Sequence, residues 1–161
     1  MAPPAVKAGI EILAPPTILR SVFLDFGRFK PWSPNLEITA KGENKDPVSL
    51  VPGDKITVKA HGVGFSGEVV ENTPERFVVD SWLPFGLIVG RRYFTFSASS
   101  TNQDDTAFMQ LEEFRGPLSG ILGSLVNQQK PSPGFATFNE AFKKECERRS
   151  TEQVVVPNNA V

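Results

Sequence analysis

The sequence predicts an α+β protein. A strongly curved, seven-stranded antiparallel sheet wraps around a long C-terminal helix, two short helices follow the first strand, and the whole encloses an apolar cavity. Three observations predict it. Seven segments alternate apolar and polar residues with period two, and clusters of Gly, Pro, Asn and Asp separate them, as strands and turns require. One later segment, Phe135 to Arg149, repeats at helical spacing instead, with Phe135, Phe138, Phe142 and Cys146 down one side and Lys and Arg opposite. Finally, 13 Phe stand against one Tyr, which supplies apolar bulk for a large interior.

In order, Ala5 to Leu13 reads as the first strand, after a loose start over Met1 to Pro4. Ala14-Pro15-Pro16 ends it, since Pro breaks a ladder but suits a first helical turn. Thr17 to Phe29 carries helical spacing interrupted near Gly27, which gives two short helices closed by Lys30-Pro31-Trp32-Ser33-Pro34. Strands follow at Leu36 to Gly42, Asp54 to His61, Phe65 to Glu71 and Phe77 to Leu83, with a polar loop over Glu43 to Gly53. Gly86 to Gly116 holds the sixth and seventh strands around a polar loop. Leu118 to Val126 reads as a short helix, Asn127 to Gly134 as a break that with it could gate a cavity mouth, and Gln153 to Val161 as a frayed tail. No repeat or linker divides the chain, so residues 1–161 are expected to form one domain, with 1–4 and 153–161 flexible.

A formal net charge of -1 leaves no strong field to attract nucleic acid or an anionic membrane. No apolar run approaches the length of a membrane span, and the first residues lack the basic-then-apolar pattern of a signal peptide. A single cysteine, Cys146, excludes an internal disulfide and fits a reducing, cytoplasmic setting. One His with one Cys makes no metal cluster of those types, so no metal is expected.

The last two strands carry the functional signal. Phe94 and Phe96 share a parity with Arg92, and Phe108 and Phe114 share one with Gln110 and Glu112. Aromatics mixed with a few convergent polar groups describe a ligand cavity better than a plain core. A hairpin centred on Gly86 sets Asp80 opposite Arg92, and one centred on Asn102 sets Arg92 opposite Glu112. The three charges then form a row within cross-strand contact, fit to anchor the polar end of an apolar ligand or to polarise a carbonyl and move a proton. Asp80, Arg92 and Glu112 are therefore the candidate catalytic residues, and Gln110 a neutral ligand contact. Alternatively the row is a structural ion triad. His61 reads as an exposed strand-end residue, Tyr93 as outer-face packing, and Asp25 with Arg28 as a local salt bridge.

The motifs Ile10-x-Ile12-x-Ala14-Pro15-Pro16, Asp25-Phe26-x-x-Phe29-x-x-Trp32-x-Pro34, Pro52-Gly53-Asp54, Trp82 ahead of Gly90-x-x-x-Phe94-x-Phe96, Phe108-x-Gln110-x-Glu112-x-Phe114-x-Gly116-x-Leu118 and Phe138-Asn139-x-x-Phe142-Lys143 resemble the SRPBCC superfamily over nearly the whole chain. This superfamily unites START lipid-transfer domains, birch-pollen-allergen-like proteins and polyketide cyclases in the helix-grip fold. The polyketide-cyclase-type branch is the nearer. The resemblance implies a hydrophobic small-molecule ligand, no cofactor, and either cyclisation, isomerisation or dehydration of that molecule or its carriage unaltered. It implies neither nucleic acid nor stable membrane insertion, and a monomer or homodimer. Phe94, Phe96, Phe108, Phe114, Trp82, Trp32, Phe138 and Phe142 join Gln110 as expected ligand-binding residues, the last two as a lid. Where relatives often carry His, this chain has Arg92 and Gln110.

Overall fold

A computed structural model describes residues 3–42, 45–82, 86–121 and 133–155. Its strands are β1 (Ala5–Ile12), β2 (Leu36–Ala40), β3 (Lys55–Ala60), β4 (Val63–Asn72), β5 (Arg76–Trp82), β6 (Val89–Ala98) and β7 (Thr106–Arg115), and its helices α1 (Pro16–Leu24) and α2 (Pro133–Val155). All seven strands form one antiparallel sheet in the order β1-β7-β6-β5-β4-β3-β2, so each strand after β2 pairs with its sequence neighbour and β1 closes on the last. A register shift between Val69 and Glu71 breaks the β4–β5 ladder. Such a bulge bends the strand and increases the local twist.

The two short helices are α1 and a single 3-10 turn at Phe26–Arg28. The break between them falls at Asp25, whose backbone leaves the helical region, rather than at Gly27. Pro15 caps α1 and Pro16 opens it, where a missing N–H costs no helical bond. The polar loop contains a further 3-10 turn, Pro47–Ser49. It is held by Asn72, whose amide donates to the Leu50 carbonyl at 2.9 Å and accepts from Arg20 at 2.8 Å.

Two ends differ from expectation. Helix α2 begins at Pro133 and runs past Gln153 to Val155, so its first turn replaces the end of the expected break and its last turn the start of the tail. Ahead of β1, the Pro4 carbonyl accepts from the Phe114 N–H at 2.9 Å. The helix and break expected over Leu118 to Gly134 lie mostly outside the described residues.

Helix α2 lies against β1 and α1. Lys143 Nζ donates to the Glu11 carbonyl at 2.7 Å, the Leu13 N–H donates to Glu147 at 3.0 Å, and Arg149 reaches Asp25 at 3.1 Å. Asp25 also meets Arg28 at 3.7 Å. Between helix and sheet, Phe23 of α1 touches Phe77, Phe94, Phe96 and Phe142 with ring centroids 4.5–6.2 Å apart. Tilted and edge-on aromatic contacts of this kind add to the area they bury. Gly116 closes β7 at φ +110, where a Cβ would sit 2.5 Å from the Leu87 carbonyl oxygen, so only Gly fits this turn.

Candidate functional site

The concave face of the sheet and the first turns of α2 enclose a cavity of about 580 Å³. Along β5 and β6 the inward residues Phe77, Val79, Phe94 and Arg92 line it, with Gln110 and Glu112 beside them on β7. Ile56 and Val58 of β3 and Phe65 of β4 complete an apolar wall. The polar groups are few.

Arg92 and Glu112 are directly opposed, and Arg92 Nη2 donates to Glu112 Oε2 at 2.6 Å. The Arg92 guanidinium also stacks over the Phe135 ring at 4.6 Å, so α2 and β7 hold it from two sides. Its Nε and Nη1 donate to nothing among the described residues. Space for the Glu112 carboxylate comes from Gly90, where an added Cβ would meet Glu112 Oε1 at 2.7 Å. A Gly inside a strand often marks such a close approach.

Gln110 is buried, 2 % exposed, and its Nε2 donates to Asn139 Oδ1 of α2 at 2.5 Å. Its Oε1 accepts from no described residue. Trp32 packs on Phe29, Phe138 and Phe142 and also lines the cavity, yet its buried Nε1–H has no acceptor among the described residues. Buried donors are ordinarily paired, so this one stands out.

The expected row of three charges is broken at Asp80. Asp80 faces Arg91, not Arg92, because β5 and β6 close with Trp82 opposite Val89. The axis of the hairpin then falls between residues 85 and 86 instead of on Gly86. A one-residue slip turns a side chain to the other face. Asp80 therefore grips Arg91 through two hydrogen bonds of 2.7 Å on the side away from the cavity, and this contact raises the Arg91 guanidinium above its ordinary value. Tyr93, on the same outer face, donates to Glu113 at 3.1 Å.

Of the other expected ligand contacts, Phe94, Trp32 and Phe138 line the cavity. Phe96, Phe108 and Phe142 are buried among other side chains, each at most 2 % exposed, and do not line it. The lid is accordingly Phe135 and Phe138, one turn earlier on α2 than the expected Phe138 and Phe142. Phe114 shares the inward parity but lies opposite Gly90, beyond the cavity wall. Trp82 is exposed, with Lys55 Nζ 5.1 Å above its ring. His61 is exposed as expected, in the β3–β4 turn at φ +49, and also edges the cavity. The sequence reading missed Ser81 and the Asn139 partner of Gln110. Ser81 follows from the odd parity of β5 once the register is known; Asn139 stands in the motif Phe138-Asn139-x-x-Phe142-Lys143, but only the docking of α2 makes it meet Gln110. Among the described residues no group of three His, Cys, Asp or Glu could hold a metal, and no helix is long and apolar enough to cross a membrane.

No protein-family profile matches the chain, and no curated protein matches it. Solved structures do. A hypothetical protein from Helicobacter pylori superposes with a TM-score of 0.65 at 12% identity, over 91% of this chain and 87% of that one. A norcoclaurine synthase mutant from Thalictrum flavum, in complex with a transition-state analogue, gives 0.64 at 12% identity over 90% and 94%. A START superfamily protein from Mycobacterium smegmatis gives 0.62 at 13% identity over 90% and 98%. The likeness is one of fold: this chain has the helix-grip fold.

Proposed function

We propose that the cavity binds an apolar small molecule with one polar end and steers its cyclisation, isomerisation or dehydration. The observation that carries this reading is the Arg92–Glu112 pair on the inner wall of a mainly apolar cavity of about 580 Å³. That size and lining suit a small organic ligand held by a few polar contacts. The Arg92 Nε–H and Nη1–H, without an acceptor among the described residues, donate to a ligand carbonyl and stabilise the negative charge that gathers on its oxygen as a neighbouring C–H is lost. Glu112 takes that proton, the enolate carbon closes on a second carbonyl of the same molecule, and Glu112 returns the proton to the new alkoxide; the hydroxyl so formed then leaves with a second α-hydrogen as water, Glu112 carrying the proton from carbon to the leaving oxygen. These steps need no oxidant, reductant or cofactor. The protein is taken as one cytoplasmic domain, a monomer or homodimer, without nucleic acid or membrane insertion. That a norcoclaurine synthase with a transition-state analogue bound shares the fold supports an enzymatic use, though at 12% identity no residue role carries over.

One observation favours carriage without conversion. Arg92 and Glu112 already satisfy each other at 2.6 Å, and no Lys, Tyr or Cys is among the described residues lining the cavity. Native mass spectrometry of the protein from its own cells identifies what it carries, and incubation with that molecule separates the readings. Under the enzyme reading the molecule is converted, and Glu112→Gln abolishes turnover while binding persists. Turnover unchanged in that variant removes Glu112 from the chemistry. Recovery of the molecule unaltered establishes the carrier.

A further inference from the structure

We infer that the cavity selects uncharged ligands bearing a hydrogen-bond acceptor over the matching carboxylates, and that Glu112 sets this selectivity. The inference rests on the reading of the cavity as a small-molecule site and narrows its ligand class. Among the described residues that line the cavity, the Arg, Lys, Asp and Glu side chains are Arg92 and Glu112, and their charges cancel across 2.6 Å. His61 sits at the exposed turn. A bound carboxylate would therefore meet an arginine already neutralised and a second carboxylate beside it. Glu112 is held at the Arg92 guanidinium. It lies in the space above Gly90 and its side chain is only 15% exposed, while Arg92 is pinned between it and the Phe135 ring. An anion with no countercharge of its own pays a heavy desolvation cost in such a place.

The same inventory shows what the cavity lacks. Arg92 Nε and Nη1 have no described acceptor, and neither has the buried Nε1–H of Trp32. A ligand that brings a carbonyl, amide or ether oxygen to the Arg92 N–H groups satisfies them without adding charge, and a hydrogen bond to a charged donor gains affinity over a hydrocarbon of the same shape.

The test uses three probes of closely similar shape, 2-naphthylacetamide, 2-naphthylacetate and 2-isobutylnaphthalene, titrated calorimetrically into the full chain at pH 8, where the acid is ionised. The amide is expected to bind at least about tenfold more tightly than the carboxylate, and more tightly than the hydrocarbon. Glu112→Gln frees the Arg92 charge, so the carboxylate should gain at least about tenfold while the amide changes little. Arg92→Gln should do the reverse and weaken the carboxylate further. It keeps the test open if the first variant does not fold. A wild-type protein that takes the carboxylate as tightly as the amide overturns the inference and leaves the cavity reading standing. Selectivity that neither variant alters removes Glu112 as its source. Failure of all three probes to bind overturns the cavity reading itself, and the inference with it.

Discussion

Gln110 separates a structural from a ligand-binding role most sharply. Its amide is 2 % exposed, as is that of Asn139, and one hydrogen bond of 2.5 Å joins β7 to α2 through them. In Gln110→Met the side chain keeps its length and nearly its volume, so little cavity forms. What is lost is the donor to Asn139 Oδ1. An acceptor stranded in the interior costs about 1–3 kcal/mol, so the variant should lose about 2 kcal/mol of unfolding free energy. Asn139→Leu should cost a similar amount, since it strands the Gln110 amide instead. The double variant removes both partners and should cost less than the sum, with a coupling of about 1–2 kcal/mol. Urea unfolding followed by circular dichroism measures all three, provided the slope with denaturant stays constant. A single-variant loss below about 0.5 kcal/mol, or strict additivity in the double, would refute the reasoning. Gln110 would then be free to turn its whole amide to a ligand, as the sequence suggests.

Three further outcomes follow from the geometry. Gly90→Ala places a methyl 2.7 Å from Glu112 Oε1, so the carboxylate must shift. The unfolding free energy should stay within about 1 kcal/mol of the parent's because the clash is with a side-chain end, while amide binding in the calorimetric titration should fall; unaltered binding would show that Glu112 does not shape the site. Glu145 is held below its ordinary value by its hydrogen bond from Arg148, backed by Arg149. A depressed folded-state value stabilises above the unfolded value of about 4.5 and is lost as pH falls through the folded one. Glu145→Gln should therefore be less stable at pH 7 by about 1 kcal/mol and show a shallower loss on acidification below pH 4.5, read by urea midpoints at each pH; parallel pH curves would contradict it. Cys146 is fully buried, and burial pushes its thiol well above the ordinary value. A thiol-specific chromogenic reagent at pH 8 should leave the folded protein unmodified and react at once in urea, whereas rapid labelling of the native state would show the helix opening.

How much of this was legible depends on which relation the residues report. Period-two alternation states which side chains share a face, and it sorted Arg92, Phe94, Gln110 and Glu112 to the inside and Tyr93 to the outside, where the sheet puts them. It does not state how a turn divides. Pro84-Phe85-Gly86 announces a turn, but an axis on Gly86 and one between 85 and 86 are equally compatible with those residues, and the second sends Asp80 to Arg91. The register around Asn102 was correctly placed, so Arg92 and Glu112 meet. Helical spacing likewise found the inner face of α2 but not its depth against the sheet. Phe142 is carried down to Phe23 and Phe108, and Phe135 and Phe138 are left at the cavity.

One signal in the sequence was stronger than its use. The inner face of β6 reads Gly90, Arg92, Phe94, Phe96, a gradient from no side chain through charge to two buried rings. Each step has a structural consequence. The rings seal against Phe23, the charge ends the apolar wall, and the missing side chain opens a slot for the carboxylate that neutralises it. A larger residue at position 90 would leave Arg92 without that slot for its partner, and its charge would face the cavity uncompensated. The selectivity of the cavity against anions is thus written in a glycine that touches no ligand, because it decides where Glu112 can stand.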